Sequence, residues 1–370
     1  MDCKIEVTRW TKYQIYLVCL LLISGSINTI IILWMNNTES IGCYEMYPFV
    51  HPFFQADLQY FGQVLCFIVI YATINILMIR DDDSENRNWL TKGTREFKLS
   101  AMWPPAMLDL FSLSALYVGI TMTNHFSFQS LRGSIIIFTA IFSRCKLIKR
   151  QWIAVAIILI GLLTVGLGDV SHESGNESIL FYAIKTRNIS EIFFNSNFPI
   201  FFHCSNSTNN EMEHMMLLGD ALIIFSQLIK AFQLIYEEIY IKEFNLVPLM
   251  VVGWEGVFNF LLLSSFISVF WMVPGDVMCQ RDSKEAFTQM KNNSTLITLA
   301  VLLTVSNGVF TFSGISITKE MSAITRAVLE IMLLAVVWFL AVVIGWKKFH
   351  WLQVRIEILI EGGFEMKLVS

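Results

Sequence analysis

Two arginines carry the most direct chemistry in this sequence. Arg132 and Arg326 each stand in the opening turns of a long apolar stretch. A guanidinium beside the unsatisfied N–H groups of a helix start suits a phosphate or a carboxylate. The plainer reading is an arginine that ties two helices together. Asp109, Lys230 and Glu255 also interrupt apolar stretches. In lipid such groups are costly, so they face a bundle interior or a water-filled route. Asp109 could neutralise Arg132 or take up a proton, and Lys230 could attract an anion. Asn259 follows Glu255 by four residues, on the same helical face. Glu330 follows Arg326 by four and could neutralise it within one helix. Gln129, Asn307, Asn28 and Gln227 could meet a sugar hydroxyl or a base edge. Their plainer role is interhelical hydrogen bonding, worth about 0.6–2 kcal/mol each. Asp169 and Asp220 are expected near helix ends, at the interface.

Other chemistries find no support. The seven cysteines, at 3, 19, 43, 66, 145, 204 and 279, form no CxxC pair and no zinc-like spacing. There is no HExxH, no GxSxG and no Walker-type GKS or GKT. No catalytic residue, cofactor or metal is therefore expected, nor is ATP-driven pumping. The net charge of −4 gives no basic face for nucleic acid. The acidic run Arg80-Asp81-Asp82-Asp83 reads as a solvated loop.

The elements that must hold these residues are membrane spans. Hydrophobic residues make up 55% of the 370 and charged residues only 15%, against about 25% charged in soluble domains. Uncharged runs place spans at 13–35, 58–79, 103–121, 126–143 and 152–168, then at 215–236, 249–273, 295–318 and 321–344. Pro104 and Pro105 fall in the first turn of the third, where a missing N–H costs little. After Trp346-Lys347-Lys348 only twelve apolar residues follow, broken by Arg355 and Glu357. A tenth span there is truncated or degenerate.

The chain accordingly divides into a cytosolic start (1–12), a first five-helix unit (13–170), a long lumenal loop (171–213), a second unit with an incomplete last helix (214–360) and a tail (361–370). With a cytosolic start, Lys and Arg number 14 on the cytosolic side and 7 opposite, as the positive-inside rule requires. All six glycosylation sequons, at Asn36, Asn176, Asn188, Asn206, Asn292 and Asn293, fall on the opposite side. Asn188, Asn206 and Asn176 are the expected acceptors. Cys43, Cys204 and Cys279 share that side and permit one disulfide in any of three pairings.

A repeat underlies the pattern. Gly119-Ile120-Thr121-Met122-Thr123 returns as Gly314-Ile315-Ser316-Ile317-Thr318, and Arg132 returns 194 residues later as Arg326. Pro52 with Pro248 and Gly62 with Gly256 keep nearly the same offset. Five spans per copy is odd, so the second copy enters the membrane inverted. Inverted repeats of this kind build secondary transporters, where one repeat rocks against the other.

The chain also resembles a known family. The segments that carry the likeness include Trp10-Thr11-Lys12-Tyr13-Gln14, Ser24-Gly25-Ser26-Ile27-Asn28-Thr29 and His51-Pro52-Phe53-Phe54-Gln55. Ser127-Phe128-Gln129-Ser130-Leu131-Arg132-Gly133, Gly253-Trp254-Glu255-Gly256 and Gly314-Ile315-Ser316-Ile317-Thr318-Lys319-Glu320 extend it across residues 9–352. They resemble the solute carrier 35 family of the drug/metabolite transporter superfamily, which includes nucleotide-sugar transporters. The resemblance implies an all-α fold of ten spans in two inverted five-helix repeats, with both termini cytosolic. It implies a lysosomal or Golgi membrane. The resemblance does not supply the substrate; the paired arginines taken with the likeness lead to the expectation of alternating-access transport of a small organic anion or nucleotide-sugar-like solute. The expected partners are that anionic solute, the lipid bilayer and, as an option, a second copy of the chain. A non-transporting interaction protein of the endomembrane is the other class. The chain departs from the pattern in a short fourth span, an insertion around 180–208 and the lost tenth span.

Overall fold

The computed structural model describes residues 10–42, 46–79, 93–94, 98–123, 131–143, 152–153, 155–156, 209–272 and 278–343. Asp169, Gln129, the sequons at 176, 188 and 206, residues 171–208 of the expected loop and the truncated tenth span lie outside them, while residues 209–213 of that loop are the start of a helix. So do Cys43, Cys204 and most of the fifth span.

Helix α1 runs over Lys12–Asn37. Thr11 caps it: the hydroxyl accepts from the Gln14 N–H at 3.2 Å, and the Gln14 side chain accepts from the Thr11 N–H at 3.0 Å. This reciprocal box satisfies two of the helix's orphan donors. A hairpin of two short strands, β1 (Glu39–Ile41) and β2 (Met46–Pro48), leads into α2 (Pro52–Ile79). That helix begins six residues before the expected span, because Pro52 is well placed to start it. Helix α3 covers Trp103–Met122 with its two prolines in the first turn. Within the expected fourth span, Leu131 and Arg132 are helical before Gly133, and α4 covers Ser134–Phe142.

The second half holds α5 (Asn209–Glu243), α6 (Pro248–Met272), α8 (Ser294–Glu320) and α9 (Ala323–Val343). Between α6 and α8 lies α7, Met278–Asn292, where the absence of an apolar run had suggested a loop. It is an amphipathic helix at the end of the bundle. Ala286 and Gln289 are fully buried, while Phe287 is exposed on one side yet meets Phe54 edge-on.

Five of these helices are long and apolar enough to cross a membrane: α1, and the stretches Pro52–Ile76, Leu217–Glu243, Pro248–Val269 and Ser294–Glu320. The chain is an all-α polytopic membrane protein. Helix α8 is the most enclosed, with Leu299, Leu303, Asn307, Ser313 and Ile317 among its buried residues. It packs on α1, α2 and α9, while α5 packs on α3 and α4. Gly62 lets α2 and α8 touch by their backbones: a Cβ there would lie 2.0 Å from the Thr304 carbonyl oxygen.

Candidate functional site

The charges expected inside the spans converge, and most of them are paired. Asp109 on α3 meets Lys230 on α5 at 2.5 Å. Its other oxygen accepts from the Tyr60 hydroxyl of α2 at 3.1 Å and from the Asn259 amide of α6 at 3.3 Å. Four helices are thereby tied to one carboxylate. Its partner is Lys230, and not Arg132 as spacing had allowed.

Arg326 is still more enclosed, at 5% exposure on the first turn of α9. One amino nitrogen donates to Glu237 of α5 at 2.8 Å, and Nε donates to Glu330 one turn along its own helix at 2.9 Å. Gln233 steadies the second Glu237 oxygen at 2.7 Å. Gly314 on α8 makes the space: a Cβ there would come within 2.9 Å of Arg326 Nε. The repeat motif around Gly314 thus serves the arginine twelve residues further on. With Nε and one amino nitrogen each bonded to a carboxylate, Arg326 is a clamp between α5 and α9 rather than an open anion site.

Arg132 differs. It is half-buried, and no hydrogen bond or ion pair is found for it among the described residues. It lies within electrostatic reach of Glu330 and Tyr117. Glu255 is 4% exposed on α6, and its Oε1 has no hydrogen-bond partner.

The polar candidates are used structurally. Asn307 donates to the Gln59 carbonyl of α2 at 2.9 Å, Asn28 accepts from Ser306, and Gln227 donates to Ser226. Asp220 accepts from the hydroxyl of Thr123, the residue that follows α3, and so links α5 to the end of α3. Of the three sequons within the described residues, Asn36 accepts from Gln55, Asn292 donates to Ile41 and Asn293 caps α8 while donating to Glu39. Each side chain is already spent on a neighbour.

Four participants escaped sequence reasoning. Glu237 looked cytosolic, yet Lys230, Gln233 and Glu237 recur at the spacing of one helical face, which was the available signal. Tyr60 and Asp57 gave none. Asp57 lies in the first two turns of α2 and accepts from Ser264 of α6 at 2.9 and 3.1 Å.

One end of the bundle is also tied by backbone acceptors. Gln14 donates to the Glu320 carbonyl, Lys242 to that of Met321 and Lys319 to that of Leu246. Gly93, at φ +140°, lets Thr94 bridge to Leu246. The opposite end is held by α7 and the hairpin. There Gln289 meets His51 at 2.9 Å, and Ser40 donates to the Gln289 carbonyl at 2.8 Å.

Known proteins sharpen this picture. The chain is 34% identical to rat solute carrier family 35 member F6 over 360 residues, 93% of this chain and 86% of the relative. The human counterpart is 32% identical over the same share. The chain belongs to solute carrier family 35. An uncharacterised protein of Schizosaccharomyces pombe is 26% identical over 270 residues, covering 70% of this chain and 71% of its own length. No protein-family model matches. A protein crystal structure shares the fold at a TM-score of 0.56 and 13% identity, covering 96% of both chains. As a family 35 chain it is a multi-pass solute carrier of the drug/metabolite transporter type and not an enzyme.

Proposed function

We propose that this carrier moves a small organic anion, of the nucleotide-sugar or nucleotide kind, by alternating access between two inverted repeats of five spans. The observation that carries the reading is the contrast between its two repeat-related arginines. Arg326 is held by Glu237 and Glu330, whereas among the described residues no hydrogen bond or ion pair holds Arg132. A half-buried guanidinium with its donors uncommitted, at a helix start, is suited to a phosphate or carboxylate.

Helix pairing supports the repeat. With α1 matched to α5, α2 to α6, α3 to α8 and α4 to α9, the packing of α1 on α8 and α9 corresponds to that of α5 on α3 and α4. Likewise α2 on α8 corresponds to α6 on α3. Gly25 and Gly219, 194 residues apart, both sit at such crossings, against Phe310 and Leu333 in one copy and Met122 in the other. The charge distribution favours a cytosolic start to the chain. On that footing the end tied by Gln14, Lys242 and Lys319 is cytosolic. An endomembrane setting, lysosomal with Golgi as the alternative, accords with the sequons on the other side. Among those sequons Asn176, Asn188 and Asn206 remain the acceptors we favour.

Counterflow tests the reading. Purified protein in liposomes preloaded with unlabelled UDP-sugars, nucleotides or dicarboxylates would meet trace labelled solute outside. Saturable accumulation, lost in a correctly folded Arg132→Ala and partly kept in Arg132→Lys, is expected. Exchange undiminished by Arg132→Ala would remove Arg132 from the site. Absence of exchange across all three panels would favour a chain that binds partners without transporting these anions.

A further inference from the structure

The centre of the bundle contains one carboxyl that its ion pairs do not use. Glu255 is almost fully enclosed, and its Oε1 has no partner. Asn259, on the next turn of the same face, is 1% exposed. It gives its amide hydrogen to Asp109 and leaves Oδ1 without a donor. Two buried acceptor oxygens thus share one face of α6 with no hydrogen assigned to either. Buried acceptors are satisfied in the great majority of cases, so a matched pair of orphans calls for a ligand that donates.

The surrounding charges identify that ligand. Asp109 acts on Glu255 from α3, Lys230 and Glu237 from α5, and Arg326 from α9. From α2 come Tyr60, which is bonded to Asp109, and the buried thiol of Cys66, which donates to the Gly308 carbonyl. Gln63 packs against Gly256, and Asp57 is bonded farther along α6 to Ser264. On α8 the charged residues are Lys319 and Glu320, at its far end. Helix α7 meets the opposite end of α6 from Glu255. Around the centre, Arg132, Lys230 and Arg326 stand against Asp109, Glu237, Glu330 and Glu255. Asp109, Glu237 and Glu330 each have a cation within 2.9 Å. Glu255 has none, and one added positive charge on it balances the set. Among the described residues no three His, Cys, Asp or Glu side chains group to hold a metal ion. A hydrogen ion needs one carboxyl oxygen and one acceptor, which is what α6 offers.

We propose that Glu255 is a proton-binding site, its carboxyl O–H closing onto Asn259, and that this proton is the ion coupled to solute movement. The proton comes from water on the side to which the bundle is open. It returns to water on the other side, leaving the carboxyl as it began. The coupling rests on the transport reading above; proton binding does not.

The test separates the two. Infrared difference spectra of the purified full chain, recorded through a pH titration in potassium buffer, report the C=O stretch of protonated carboxyls. The wild type should show one such band near neutral pH. Glu255→Gln, checked for folding by gel filtration, should lose it, and Asp109→Asn should keep it. Asn259→Leu should shift its frequency, which keeps the proposal testable where Glu255→Gln fails to fold. No band in the wild type, or a band unchanged in both Glu255→Gln and Asn259→Leu, overturns the proposal. Removal of the band by sodium in place of potassium overturns it too, because the site would then take an alkali cation. Coupling is read in the liposomes: exchange that varies with pH in the wild type should become flat in Glu255→Gln. Exchange with an unchanged pH profile refutes coupling while the infrared band still decides the site. A liposome panel silent throughout would count against the transport reading alone.

Discussion

Asp109 has no spare capacity: one oxygen faces Lys230 and the other takes two donors. Removing either member of the pair leaves a partly buried charge without its counter-ion. Asp109→Asn and Lys230→Met should each lower stability by about 1–3 kcal/mol. The double variant should recover part of that loss, and thermal unfolding in detergent completes the cycle. Arg326 stands in a deeper setting. Glu237→Ala leaves it with Glu330 alone and should cost about 3–5 kcal/mol. Glu237→Gln keeps a hydrogen-bond acceptor and should cost less. Equal losses for the two substitutions would show that the clamp depends on the Glu237 charge alone, and no loss in Glu237→Gln would show that the charge contributes nothing. Gly314→Ala tests the same place from the other side, since the added methyl must displace the guanidinium.

At the scale of helices, close backbone approach decides what can be substituted. The Cβ of Gly62→Ala would collide with the Thr304 carbonyl, a backbone group that cannot step aside without moving α8. A loss of about 1–3 kcal/mol is expected, whereas Gly93→Asn, at a left-handed turn, acts on the loop bridge instead. Gln289→Ala removes the side-chain bonds to His51 and to the Ser40 carbonyl, keeps the bond from the Ser40 hydroxyl to the backbone, and should make Lys291 easier to cleave with trypsin while leaving the bundle folded. The long apolar helices were legible in the sequence because lipid demands uninterrupted apolar runs. So were the membrane charges Asp109, Lys230, Glu255 and both arginines. Their pairing was not legible: Asp109 lies 121 positions from Lys230, and only the packing of α3 on α5 brings them together. Helix α7 escaped because hydropathy detects spans, while its signal is one apolar face on an otherwise charged segment. Asp57 escaped because α2 starts earlier than its uncharged run does.

The whole molecule is fastened unequally. At one end Arg326, Lys242, Lys319 and Gln14 hold α1, α5, α6, α8 and α9 together. In a rocker these contacts must break for that end to open, so Glu237→Gln should favour opening there. A cysteine at Thr325, which is 9% exposed, in a background without the native cysteines, should then react faster with a water-soluble maleimide. The unequal fastening also has a kinetic face. A carrier that rests in one form shows its intrinsic affinity to solute on the accessible side. On the other side the apparent affinity is divided by the small fraction of molecules that happen to be open. Half-saturation should therefore be higher for solute presented at the fastened end, by as large a factor as the resting populations differ. At equilibrium no net flux results, because the maximal rates in the two directions differ by a compensating ratio. The same protein would look like a low-affinity carrier to one compartment and a high-affinity carrier to the other.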